Sequence, residues 1–128
     1  KQAAESCILR QEYICREVEG GKFPAYKASG IAYIRFAREE KELFKLLFMR
    51  DRTDENYALP LDDFVANLVK NATGLSGDEA SLFHFRMWAC VHGIATMLAT
   101  GYFELDWDII SKTITDTYQG ARKQYGLE

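Results

Sequence analysis

SGDEASLFHFRMWACVHGIATMLATGYFE, residues 76–104, reads as one long helix, and its two faces decide the fold. Ser76 and Glu79 have the Ser-x-x-Glu spacing of a capping box, which marks the helix start. Beyond it Phe83, Met87, Val91, Ile94 and Leu98 recur at three- and four-residue steps, a face that requires a core. A second stripe, Phe85, Ala89, Gly93, Thr96 and Thr100, is mostly small, and such a stripe lets another helix backbone approach closely. Gly93 costs about 1 kcal/mol relative to alanine in a helix interior, so its presence suggests a packing or functional reason. A helix wanted on two sides is a central or interface helix, with the rest of the chain as its packing partners.

Working outward, the N-terminal segment Lys1 to Glu19 places Ala4, Cys7, Ile8, Ile14, Cys15 and Val18 at helical spacing, stopped by Gly20-Gly21. Phe23-Pro24 opens a second helix with Tyr26, Gly30, Tyr33, Ile34 and Ala37 on one stripe, ending near Glu39-Glu40. A break separates it from Leu43, Phe44, Leu46, Leu47, Phe48 and Met49, which is apolar nearly all round and expected to be buried. Residues 50–58 carry Asp51, Asp54 and Asn56 and read as a loop. Pro60 starts a short helix through Leu61, Phe64, Val65, Leu68, Val69 and Ala72, closed by Gly74. After the long helix, Asp106-Trp107-Asp108 offers an N-cap, and Trp107, Ile110, Ile114, Tyr118, Ala121 and Tyr125 form the stripe of a last helix ending at Gly126. No stretch shows the period-two alternation of a strand, and there is no internal repeat. The expected architecture is all-α, one domain of about six helices over residues 1–128.

Composition narrows the function classes. The chain has 128 residues, 48% hydrophobic and 27% charged, enough for one core without covalent staples. The net charge of −3 and the absence of a dense Lys/Arg cluster give no nucleic-acid footprint. No run approaches the roughly eighteen apolar residues of a membrane span, and no basic segment followed by an apolar one suggests a signal peptide. Cys7, Cys15 and Cys90 are odd in number and form no C-x-x-C pair, which favours a reducing cytoplasm, with the thiols as small core hydrophobes.

Catalysis finds no support: there is no G-x-S-x-G element and no glycine-rich phosphate loop, so the chain is not expected to be an enzyme. Cys90 and His92 face opposite sides of their helix and make a poor nucleophile–base pair. The carboxylates Asp51, Asp54, Glu55, Asp62 and Asp63 suit solvation and capping. His84, Trp88 and His92 stand at i, i+4 and i+8 along one helix edge, but the histidines are about 12 Å apart, too far to share one ion. No metal and no cofactor is therefore expected. His92 reads either as an internally hydrogen-bonded imidazole or as a polar contact for a ligand. The inventory Tyr33, Phe36, Phe44, Phe48, Met49, Phe64, Phe83, Met87, Trp88 and Met97 reads either as plain core or as the wall of an apolar pocket beside the polar tips of Tyr33, His84 and His92.

Trp88-x-x-x-His92-Gly93-Ile94-Ala95 followed by Thr100-Gly101-Tyr102, together with Pro24-Ala25-Tyr26-Lys27, Tyr33-Ile34-Arg35-Phe36-Ala37 and Leu43-Phe44-Lys45-Leu46-Leu47-Phe48, resembles the C-terminal domain of the tetracycline-repressor (TetR) family of bacterial transcription regulators. The resemblance covers nearly the whole chain. It implies a sensor domain that binds a small apolar or aromatic inducer, with Tyr33, Phe36, Phe48, Trp88 and His92 nearest the pocket. It also implies a homodimer through a four-helix bundle of the last two long helices, Ser76 to Glu104 and Asp108 to Gly126. Phe85, Ala89, Gly93, Thr96, Ile110, Ile114, Tyr118 and Ala121 are then the candidates for the seam. In that family DNA is bound by an N-terminal helix-turn-helix domain; it is absent from this sequence, and Lys1 stands near the start of the helix that would lead to it. Two other readings remain open at this level, a stand-alone helical domain that docks a partner protein and a metal-holding helical enzyme.

Overall fold

The computed structural model describes residues 2–49, 63–102, 104 and 106–127, and in them the chain is all-helical: α1 (Gln2–Gly20), α2 (Ala25–Glu39), α3 (Lys41–Phe48), α4 (Asp63–Thr73), α5 (Gly77–Ala99) and α6 (Trp107–Gln124). No strand occurs among the described residues. The loop expected at 50–58, the helix start at Pro60 and the side chains of Ala4, Cys7, Ile8, Leu61 and Phe64 lie outside what is described.

The helix that touches all the others is α2, which meets α1, α3, α4, α5 and α6. The sequence pointed instead to the long helix as the centre. The composition of α2 explains its position: Ala28, Ile31, Ala32, Ile34, Phe36 and Ala37 are at most 1% exposed, so small and branched apolar residues surround most of the helix. Tyr26 and Tyr33 complete its buried set with aromatic rings whose hydroxyls need partners.

Against α2 lies α5. Its Phe83, Met87, Val91, Ile94 and Leu98 are all buried, and Gly30 of α2 faces Val91 so closely that an added Cβ would stand 3.3 Å from a Val91 methyl. The small stripe of α5 lies on the opposite side and is not covered. Phe85 is 41% exposed, Ala89 and Thr100 are exposed, and Thr96 and Gly93 are half-buried. A Cβ on Gly93 would meet no described atom within 4 Å.

Both ends of α5 differ from expectation. Ser76 is its N-cap but its side chain makes no cap hydrogen bond. The helix stops at Ala99 rather than running to Glu104, because Gly101 takes a φ of +69° and the Tyr102 and Gly101 amides donate to the Met97 and Leu98 carbonyls. That is a Schellman stop, favoured by glycine's freedom at positive φ. The same motif ends α6, where Gly126 has a φ of +71° and Leu127 and Gly126 donate to Arg122 and Lys123. Asp106 caps the start of α6 as its sequence suggests, accepting from the Ile109 amide at 2.8 Å.

The remaining links are polar. Arg122 of α6 donates to the Ala72 carbonyl in the last turn of α4 at 2.8 Å, which puts a cation where helix carbonyls lack partners. Arg35 of α2 pairs with Glu17 of α1 and stacks over Trp107 of α6, 4.5 Å from the ring centroid. Two expectations of burial fail. Cys15, read as a core hydrophobe, is exposed, and in α3 only Phe44 is buried while Leu46 is 45% exposed. An eight-residue helix against one flank of α2 has a single inner edge, whatever the hydrophobicity of its other positions.

Candidate functional site

The interface between α2 and α5 carries two tyrosine–histidine hydrogen bonds. Tyr26 meets His84 Nδ1 at 2.9 Å and Tyr33 meets His92 Nδ1 at 2.8 Å. The pairings ascend together in both helices, so α2 and α5 run in the same direction. Seven residues separate the tyrosines and eight the histidines, close to two helical turns in each case, which is why both rungs can form.

Around the second rung four of the five residues assigned to the pocket come together, with one more. Trp88 stacks on His92 at 4.6 Å between centroids and 15° between planes. Tyr33 stands edge-on to Phe48 at 5.1 Å and to Phe44 at 5.6 Å, and Phe44 lies 5.8 Å from the His92 ring. Three helices supply these rings: Tyr33 comes from α2, Phe44 and Phe48 from α3, Trp88 and His92 from α5. Phe36 stands apart from them. It is fully buried, and its edge-to-face partner is Tyr13 of α1 at 5.5 Å.

Burial holds the His92 imidazole below the usual histidine range, so it is neutral at pH 7. The phenol is the better proton donor, and on that ground Tyr33 is assigned as donating to Nδ1, which leaves the ring proton on Nε2. Nε2 has no hydrogen-bond partner among the described residues. The group therefore combines flat apolar walls with polar atoms that have no described partner, His92 Nε2 and the Trp88 indole nitrogen, the composition of a small-molecule site.

The first rung is built otherwise. Tyr26, Phe83, Tyr118 and Tyr125 surround it, with Tyr26 and Phe83 each about 6 Å from Tyr118, and Phe83 6.0 Å from Tyr125. Burial raises the Tyr26 hydroxyl well above its ordinary range. Tyr118 belongs to this aromatic cluster, where its hydroxyl also donates to the Ala72 carbonyl at 3.3 Å.

The four α6 residues expected at a seam pack within the chain itself. Ile110 is 0% and Ile114 3% exposed, and Tyr118 and Ala121 pack against the same core, so all four face inward within one chain. The outward face of α6 is turned by one residue and carries Ile109 at 47% exposure, with Thr113 and Gly120. On α5 the corresponding outward positions are Leu82 at 46%, Phe85, Ala89 and Gly93. The most regular apolar stripe of an amphipathic helix goes to its own core, and the less conspicuous Ile109 was the signal for the other face.

Phe44 and the Tyr26–His84 rung were not singled out as site residues. Phe44 is one of five large apolar residues between 43 and 48, and periodicity alone does not say which of them points inward. The matching Tyr and His spacings were visible in the sequence as a pair of rungs, but only knowledge that α2 and α5 are neighbours gives them meaning. Among the described residues no group of three or more His, Cys, Asp or Glu is placed to hold a metal ion, and no helix is long and apolar enough to cross a membrane.

The model of the family described as tetracyclin repressor-like, C-terminal domain, matches residues 26–116, from the Tyr26 rung to the middle of α6. No curated protein and no solved structure matches the chain.

Proposed function

Because the chain belongs to the tetracyclin repressor-like C-terminal domain family, we propose that residues 1–128 act as the effector-sensing and dimerisation domain of a transcription regulator. The effector is a small apolar or aromatic molecule that enters among Tyr33, Phe44, Phe48, Trp88 and His92 and hydrogen-bonds to His92 Nε2. The observation that carries this reading is the His92 Nε2 left without a described partner among the rings of Tyr33, Phe44, Phe48 and Trp88.

The opposite face of α2 suggests how binding is transmitted. Tyr33 points to α5, while Phe36, Arg35 and Glu39 hold α1 through the Tyr13 ring, the Glu17 ion pair and a 2.8 Å bond from the Tyr13 hydroxyl. An effector that favours one setting of α2 therefore also favours one setting of α1. In the family α1 would lead to the DNA-binding part, so the mechanism is a population shift between two spacings of paired DNA-binding heads. The pairing itself is assigned to the outward stripes of α5 and α6, with Leu82, Phe85, Ala89, Gly93, Thr96 and Ile109 at a twofold seam.

The test is a screen of flat aromatic compounds by tryptophan fluorescence, with His92→Gln and Trp88→Phe as controls. A saturable change that weakens about tenfold or more in His92→Gln supports the reading, on the scale of one lost hydrogen bond. A response that is unchanged in that variant, or no saturable response to any compound, removes the pocket.

A further inference from the structure

Lys27 lies on a different face of α2 from Tyr33. Six residues place the two about 9 Å apart along the axis and about 120° apart around it. Its Nζ reaches across to α6 and donates to Ser111 Oγ and to Thr115 Oγ1, both at 2.7 Å. Phe23 covers the third side, with its ring centroid 4.9 Å from the ammonium. No carboxylate pairs with Lys27 among the described residues, and burial lowers its basicity.

The hydroxyls are the telling part. Each accepts a hydrogen bond from the ammonium and keeps its own proton to donate. Elsewhere on α6 a threonine spends that proton on its own helix: Thr113 donates to the Ile109 carbonyl at 2.8 Å. Ser111 and Thr115 show no such bond, and no described acceptor takes their protons. A half-buried cation and two undirected O–H donors thus converge with no carboxylate of the described residues paired to them.

We propose that Lys27, Ser111 and Thr115 form a binding site for the carboxylate of a small organic acid, with Phe23 against its carbon skeleton. One ammonium balances one negative charge, which fits a carboxylate better than a phosphate dianion, and the two hydroxyls supply donors to its oxygens. The site ties α2 to α6, so an acid held there bridges the effector-facing helix and a seam helix. It is distinct from the His92 enclosure and stands or falls separately.

The experiment follows thermal unfolding of the whole chain while benzoate, acetate or inorganic phosphate replaces chloride at constant ionic strength, or while benzamide is added to the chloride buffer. Benzoate and acetate are expected to raise the melting temperature saturably, as ligands of the native state do. Benzamide, which has the ring and no charge, is expected to do nothing. Lys27→Met keeps the stem and is expected to abolish the response. The double variant Ser111→Ala/Thr115→Val keeps the charge and is expected to weaken binding about tenfold or more, the scale of losing two hydrogen bonds to an ion. His92→Gln leaves it unchanged, so a failure of the pocket reading does not imitate a failure here. Retained benzoate response in a folded Lys27→Met, a response equal for benzamide, or no saturable response in the unsubstituted protein would overturn the proposal, and a phosphate response exceeding that of both acids would overturn its carboxylate selectivity.

Discussion

Replacing Phe85 by glutamine tests the seam where the structure makes the strongest demand. The side chain is 41% exposed, and a phenylalanine presents roughly 200 Å² when fully open, so about 80 Å² of it faces solvent in one chain. At about 25 cal/mol per Å², covering that surface is worth about 2 kcal/mol, and a twofold axis counts it twice. The general costs of association are the same for both proteins and drop out of the comparison. Dimerisation should therefore weaken by about 4 kcal/mol, close to a thousandfold in the dissociation constant. Glutamine keeps good helix propensity and Phe85 touches no core cluster, so the monomer should stay folded. Sedimentation velocity across a dilution series reads the constant, with circular dichroism as the check on folding. A dissociation constant changed by less than about threefold, under 1 kcal/mol, would refute the assignment of this face.

Gly93→Leu adds a side chain where the single chain has open space, so sedimentation should show loss of the dimer while the monomer keeps its far-ultraviolet spectrum. Arg122→Met removes the charged donor to the Ala72 carbonyl and should cost about 1.5–3 kcal/mol, read as a lowered urea midpoint with an unchanged slope. His92 has a depressed affinity for protons in the folded state, so its contribution to stability is complete above the unfolded value near 6.5 and declines as pH falls through the folded value. Urea melts at pH 8 and pH 5 should show a smaller acid-side loss in His92→Gln than in the unsubstituted protein. Tyr13 behaves in the opposite sense: burial and the Glu39 carboxylate push its hydroxyl up to about 12, so stability should fall as pH rises above about 10, and Tyr13→Phe should flatten that fall.

Much of the fold was legible because helices announce themselves. The stripe Phe83, Met87, Val91, Ile94 and Leu98 is the buried face of α5, and Asp106 and Gly126 mark α6 as their chemistry requires. What the sequence concealed was rotation and rank. Ile109 and Ile110 are adjacent and alike, and only the packed structure shows that Ile110 is 0% exposed and Ile109 47%. The rank of α2 was hidden because one stripe of Tyr26, Gly30, Tyr33, Ile34 and Ala37 does not reveal that Lys27 and Arg35, off that stripe, also reach partners on neighbouring helices. The aromatic enclosure was half visible: Tyr33, Phe48, Trp88 and His92 were named together, Phe44 was lost among its neighbours, and Phe36 turned to α1.

Gly30 lies between Tyr26 and Tyr33, and a Cβ added there would stand 3.3 Å from a Val91 methyl of α5. With a hydrogen-bonded tether on either side of that close approach, tilting about Gly30 like a balance beam is the motion we predict for α2. In that motion opening the Tyr33–His92 end would press the Tyr26–His84 end closed, and an ångström gained beside Trp88 would reappear with opposite sign beside Tyr118 and α6. Spin labels on exposed positions of α2 and α5 at the two ends should then move in opposite directions when an effector binds; movement in the same direction would show that α2 slides instead of tilting.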